Sequence, residues 1–351
     1  MVKKNPKSDP GKKRPRKGGR VFLLGAGASA ACGIPVARDI LGYSAVALGR
    51  EDKAAQEQIH SLLHYLYPNF DESIGNYPNI EDFLNLIEMA ETFNSEEFIR
   101  SSRWSPTDLA AVKGATLKAV TDYIWSRMLS ADAMSSVRDF VSTCVRTGDT
   151  IITFNWDLTI EHALESREDF SFWYGPREDA DVLLLKPHGS VDWFPRSRLP
   201  GKDSKRRVNN LDNDLCVYPE FNFAAYKELR ATEPVIVPPV SAKQFNWDFI
   251  REVWKRVHFE ISRAGHLYIL GYSLPREDQF ARLVIGRALL NNRLNAEKAG
   301  RHPVAVTLVN PDDAVQPTFI RLLGGKTKIF FLQTTFEKYV HAAKEGDITL
   351  Q

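Results

Sequence analysis

The stretch Val21-Phe-Leu-Leu-Gly-Ala-Gly-Ala-Ser-Ala-Ala-Cys-Gly-Ile-Pro35 constrains the fold more than any other in the chain. Four apolar residues in a row, Val21 to Leu24, predict a strand buried on both faces, and Gly25, Gly27 and Ser29 then open a helix. Glycines at such a junction allow a close backbone approach that a Cβ would block, and a helix start offers N–H groups to phosphate oxygens. The pattern suits a nucleotide-holding turn. It also suits a plain tight turn, because Ala30 stands where Gly-x-Gly-x-x-Gly would place its third glycine.

Similar apolar runs return at 150–154, 182–185, 235–237, 266–270, 304–309 and 328–332, separated in part by helical segments such as 247–264 and 278–290. This alternation predicts an α/β fold, a Rossmann-like doubly wound parallel sheet. Between the first and second strands the chain reads as helical at 51–66, 80–93, 107–129 and 133–146. In the third of these Leu109, Val112, Leu117, Val120, Ile124 and Met128 mark one buried face, and Ser105-Pro106 supplies a cap and a first-turn proline. The expected organisation is a disordered basic tail over 1–20 and one domain over 21–340, with a helical insertion at 38–148. The polar segment 196–213, which carries Gly201, Lys202, Lys205, Arg206 and Arg207, has no periodicity and is expected to be a mobile surface loop.

Charge separates the tail from the body. Nine lysines and arginines face Asp9 alone in the first twenty residues, so a chain of 351 residues and net charge +2 has an acidic remainder. The tail is expected to touch nucleic acid or a protein partner, or only to solubilise; the body carries no nucleic-acid footprint. No apolar run approaches the roughly 20 residues of a membrane helix, and the basic start lacks the apolar core of a secretory signal. Cys32, Cys144 and Cys216 are scattered, which fits a reducing, cytoplasmic setting and cannot furnish a four-cysteine zinc site. The histidines show no metal-ligand spacing, so no metal is expected.

In an open parallel sheet, ligands bind beyond the carboxyl ends of the strands, so the residues following each strand are the candidates. Asn155-Trp156-Asp157 follow the second run. Their amide and carboxylate either position a water and a carboxamide or form an Asx turn at the next helix. His188-Gly189-Ser190 follow the third, where the imidazole serves either as a proton acceptor near neutral pH or as a loop histidine bonded to a carbonyl. Gly271-Tyr-Ser-Leu-Pro275 and Asn310-Pro-Asp312 offer small and polar groups for a second phosphate and an adenosine, though each alone is an ordinary turn.

Taken together and in this order, Gly-Ala-Gly-Ala-Ser with Gly33-Ile34-Pro35, Thr153-Phe-Asn155-Trp-Asp157, His188-Gly189, Gly271-Tyr-Ser-Leu274 and Asn310 resemble the sirtuin (SIR2) superfamily. The resemblance runs from about Val21 to Asp312. It is nearest to the bacterial SIR2-like branch of antiphage defence, which also uses Gly-Tyr-Ser-Leu-Pro-x-x-Asp, here ending at Asp278, and Asn-Ile-Glu-Asp-Phe, here Asn79 to Phe83. It implies NAD as substrate, with Gly25, Ala26, Gly27 and Ser29 at the pyrophosphate, Pro35 and Arg38 in the cofactor loop, and Gly271, Ser273 and Asn310 at a phosphate and the adenosine. Asn155 would position water, Asp157 the nicotinamide, and His188 would act on the ribose hydroxyls.

Departures from the sirtuin pattern shape the expected reaction. Val36 and Ala37 replace an acidic and an aromatic residue, Phe154 replaces the usual Gln, and the zinc module is missing. These favour water over an acyl-lysine as nucleophile. The resemblance thus implies an NAD glycohydrolase, a regulated and homo-oligomeric effector working by NAD depletion. Its partner would be a HerA-like ATPase, an Argonaute-type protein or a phage trigger. The alternatives are a sensor that binds NAD or ADP-ribose without turnover, and ADP-ribosyl or acyl transfer to a protein.

Overall fold

The computed structural model describes residues 19–93, 104–128, 134–168, 170–174, 180–199, 209–217, 234–238, 247–324 and 327–347. Ten strands are described: β1 (Arg20–Leu24), β2 (Thr150–Thr153), β3 (Phe172–Tyr174), β4 (Val182–Leu185), β5 (Trp193–Pro195), β6 (Asn209–Asn210), β7 (Leu215–Val217), β8 (His266–Leu270), β9 (Ala305–Val309) and β10 (Ile329–Leu332). Seven of them form one sheet in the order β10-β9-β8-β1-β2-β4-β3. Every pairing in that sheet is parallel. The apolar runs of β1, β2, β4 and β8 are almost wholly buried, as expected for strands covered on both faces.

Register brings the strand ends level. Leu24 pairs with both Thr153 and Leu270, Leu270 pairs with Val309, and Val309 with Leu332. The next residue along each of these strands therefore emerges at one edge of the sheet: Gly25, Phe154, Gly271, Asn310 and Gln333. The chain runs from β1 outward through β2 to β4 and β3, then returns to the other side of β1 at β8. The boundary between β1 and β8 is the switch point at which doubly wound sheets bind ligands.

The described residues between β1 and β2 form helices: α1 (Ala26–Ala30), α2 (Ala37–Leu48), α3 (Lys53–Leu66), α4 (Ile80–Phe93), α5 (Pro106–Met128) and α6 (Ser135–Cys144). Helices α2 to α5 share a second apolar cluster, including Leu41, Leu62, Phe83, Ile87 and Val120, which Leu158, Val191 and Ile236 join from the sheet side. Helix α6 instead sends Val137, Phe140, Val141 and Cys144 into the core of the sheet. Ser105 and Asp108 cap α5 reciprocally: the Ser105 amide donates to Asp108 Oδ2 at 2.9 Å and the Asp108 amide to Ser105 Oγ at 3.2 Å. Beyond β2 the helices among the described residues are α7 (Thr159–Glu165), α8 (Asp248–Arg263), α9 (Gln279–Lys298), α10 (Val315–Leu323) and α11 (Phe336–Glu345).

Several expectations need correction. The run 235–237 is not a strand of the main sheet; among the described residues it makes only an antiparallel bridge, Gly189 to Ile236. It lies across the loop after β4, where the Val237 amide donates to the His188 carbonyl at 2.8 Å, so its apolar residues cover that loop. Helix α2 and the aromatic edge strand β3 were not resolved as separate elements by periodicity. The segment 196–213 carries regular structure at both described ends. A 3-10 turn spans Arg196–Arg198, β6 pairs with β7, and Arg196 Nη1 donates to Asn210 Oδ1 at 2.7 Å.

Residues 200–208 of that segment, with Gly201, Lys202, Lys205, Arg206 and Arg207, lie outside the described residues, as does the basic tail over 1–18. Arg20 opens β1 and pairs with Asp149 at 2.6 Å. The three cysteines are buried and free, with burial pushing the Cys32 thiol up to about 12 and those of Cys144 and Cys216 to about 11. No helix among the described residues is long and apolar enough to cross a membrane.

Candidate active site

The loops after β1 and β8 interlock at the switch point. The Gly25 amide donates to the Leu270 carbonyl at 3.1 Å, and the Gly27 amide to the Gly271 carbonyl at 2.9 Å. A Cβ at Gly25 would stand 2.6 Å from Tyr272 Cα, and one at Gly27 would stand 2.8 Å from Gly271 Cα. Gly271 itself has φ +63°, and a Cβ there would stand 2.7 Å from the Ala28 nitrogen. The close approach that these glycines permit is first of all that of one loop to the other.

A chain of short polar contacts links the β1 and β2 loops. Asn155 Nδ2 donates to the Gly25 carbonyl at 2.9 Å and to Ser29 Oγ at 2.7 Å. Ser29 Oγ donates in turn to Asp157 Oδ2 at 2.6 Å. The other carboxylate oxygen, Asp157 Oδ1, accepts from the Thr159 amide at 3.0 Å and from its hydroxyl at 2.6 Å. Asp157 thus forms the Asx turn that opens α7 while also facing Ser29. Of the two roles that the sequence leaves open for this residue, the Asx turn is the one these contacts display.

His188 stands in the loop after β4. Gly189, at φ +75°, lets that loop pass under the Val235 carbonyl, which a Cβ would approach to 2.0 Å. His188 Nε2 lies 2.9 Å from Asp278 Oδ2, with the two side chains 5% and 0% exposed. Asp278 Oδ1 accepts from the Ala281 amide at 3.1 Å and so caps α9. The Phe154 ring stacks on Tyr272 at 4.5 Å and meets the His188 ring edge-on at 4.9 Å. A carboxylate in this position fixes the tautomer of an imidazole and stabilises its protonated form. The sequence assigns Asp278 no role beyond ending a motif; its only local signal is that of a helix cap.

The other candidates are placed unevenly. Asn310 is buried, and its Oδ1 accepts from the Asp312 amide at 3.0 Å, which shapes its own loop. Ser273 is exposed beside Leu274, whose backbone is left-handed at φ 55° and whose carbonyl accepts from Arg282. Pro35 and Ala26 are half-buried. Arg127 reaches from the end of α5 to the Gly33 carbonyl at 3.1 Å, anchoring the Gly33–Pro35 loop to the helical unit. Arg38 is not drawn into this cluster of contacts: its side chain is 80% exposed and pairs with Asp39 at 3.2 Å. Among the described residues no group of three His, Cys, Asp or Glu is placed to hold a metal ion.

Fold and site define a Rossmann-like α/β protein with a buried His–Asp pair and an Asn–Ser–Asp chain at the carboxyl edge of its sheet. No family model matches the chain, and no curated protein does. Solved structures that it is similar to include Sir2 in complex with the inhibitor EX-527, 2'-O-acetyl-ADP-ribose and deacetylated p53 peptide, at 13% identity, covering 94% of this chain and 95% of that one, with a TM-score of 0.34. Sir2Tm bound to a propionylated peptide matches at 14% identity over 95% of each chain, with a TM-score of 0.33. A sirtuin from a study of the structural basis of substrate affinity matches at 14% identity over 93% of each chain, with a TM-score of 0.39.

Proposed function

We propose that this protein hydrolyses NAD, breaking the bond between nicotinamide and ribose to give nicotinamide and ADP-ribose. The observation that carries the reading is the convergence of the His188–Asp278 pair and the Asn155–Ser29–Asp157 chain beside the switch point. Departure of nicotinamide takes the C1′–N electron pair with it and leaves an oxocarbenium-like ribose, which a water oxygen attacks while its proton passes to a base. Asn155, tied to the backbone of the β1 loop, positions the water. Asp157 orients the carboxamide of the leaving group. His188, with Asp278 behind it, acts on the ribose hydroxyls, and Gly25, Ala26, Gly27 and Ser29 border the pyrophosphate.

The resemblance of its motifs to the SIR2-like branch of antiphage defence extends this reading to a regulated, oligomeric effector that acts by depleting NAD. The near-complete burial of His188 and Asp278 fits a site that opens only when triggered. The same burial favours the second reading, a sensor that binds NAD or ADP-ribose without turnover. Incubation with NAD, followed by chromatography of the small molecules and mass spectrometry of the protein, separates the possibilities. Hydrolysis releases nicotinamide and free ADP-ribose in equal amounts, transfer leaves the ADP-ribosyl group on a protein, and a sensor binds ADP-ribose in calorimetry without releasing nicotinamide.

A further inference from the structure

One lysine beside this site is wholly buried. Lys186 follows Leu185, the last residue of β4, and its side chain is 0% exposed. Its ammonium donates to the Asp157 carbonyl at 2.5 Å and to Glu161 Oε1 at 2.7 Å. Tyr174, on the edge strand β3, donates its hydroxyl to the same Glu161 oxygen at 3.3 Å. Enclosing an ammonium costs several kcal/mol, and a hydrophobic residue of similar volume would often serve stability as well. A charge at this position therefore calls for a role beyond packing.

The contacts around it supply one. The loop carrying Asn155 and Asp157 has two successive carbonyls that end on the segment carrying His188. Trp156 O accepts from the Val191 amide at 3.0 Å and Ser190 Oγ at 3.4 Å, and Asp157 O accepts from Lys186. Of these links the one from Lys186 is charge-assisted, and it is braced by Glu161 in the first turn of α7. The segment 186–191 thus grips the β2 loop on both sides of His188.

We propose that Lys186 is a positioning residue that, by holding the Asp157 carbonyl against the Glu161 carboxylate, sets the Asn155–Asp157 loop relative to His188. The setting of the loop is independent of the reaction; its consequence for turnover rests on the NAD-cleavage reading. Lys186→Met strands the buried Glu161 carboxylate and endangers folding, so Lys186→Met/Glu161→Gln, which removes both charges, is the companion variant.

Hydrogen exchange read by mass spectrometry on the full chain should show exchange at 154–159 faster by at least about tenfold in the folded variant, with 266–274 unchanged. If the wild type cleaves NAD, kcat should fall about 10- to 100-fold in that variant while KM stays within about threefold. Unchanged exchange at 154–159 overturns the proposal, as does faster exchange with unchanged kcat. A wild type that never cleaves NAD defeats the NAD-cleavage reading alone, and the exchange result still decides the role of Lys186.

Discussion

His188 Nε2 and Asp278 Oδ2 are 2.9 Å apart, and neither side chain is more than 5% exposed. Asp278 faces the imidazole, accepts from the Tyr272 hydroxyl at 3.5 Å and caps the start of α9. These contacts tie the orientation of His188 to the β8 loop and to the helix that follows it.

Asp278→Asn keeps an oxygen for the Ala281 amide but removes the charge facing His188. NAD turnover should fall by about 100-fold or more, the scale of a general base lost, while the melting temperature moves little. Asp278→Ala should add a loss of about 1 kcal/mol in stability through the missing cap. Turnover of Asp278→Asn within about twofold of wild type, measured by nicotinamide release, would contradict the assignment.

Gly271→Ala tests the interlocked loops. Its left-handed backbone and the 2.7 Å approach to Ala28 N should together destabilise the fold by about 1–3 kcal/mol. Gly300 has a similar φ of +61° with nothing within 4 Å, so Gly300→Ala reports the backbone strain alone. Thermal melts should show the larger loss at Gly271. Equal losses would mean that the two loops part without cost.

Asp192 gives a pH signature. Burial, and then the charge of Glu161, push its carboxyl up to about 7 against the pull of Lys186. Its Oδ1 and Glu161 Oε2 have no hydrogen-bond partner among the described residues. An unfolded aspartate titrates near 3.8, so between these values the folded chain holds a proton that the unfolded chain has released. This group's contribution to stability therefore declines as pH rises through that window. Asp192→Asn stays neutral throughout, so its melting temperature relative to wild type should be higher at pH 8 than at pH 5. An unchanged difference between the two pH values would show that Asp192 is ionised across the range.

The sheet was legible in the sequence because parallel strands carry unbroken apolar runs, and the loops that follow them could be read off in order. A run of three such as Val235-Ile-Val237 is too short to distinguish a strand from a cover over a loop, and it proved to be the latter. Phe172-Trp-Tyr174 forms an edge strand at which only Tyr174 is buried, so it lacks the fully apolar signature. Asn155, Asp157 and His188 were legible as strand-end polar residues. Asp278 and Lys186 were not, since a helix cap and a lysine at a strand end look solvated until the tertiary fold encloses them.

The decisive measurement is release of nicotinamide from NAD by the purified wild-type chain and by His188→Ala, alone and with its genomic-neighbour protein. The wild type should release nicotinamide in at least one condition, and His188→Ala should lose that release with the melting curve preserved. Equal release by both proteins would contradict the role of His188, and no release in either condition, with ADP-ribose still bound, would contradict the hydrolase itself.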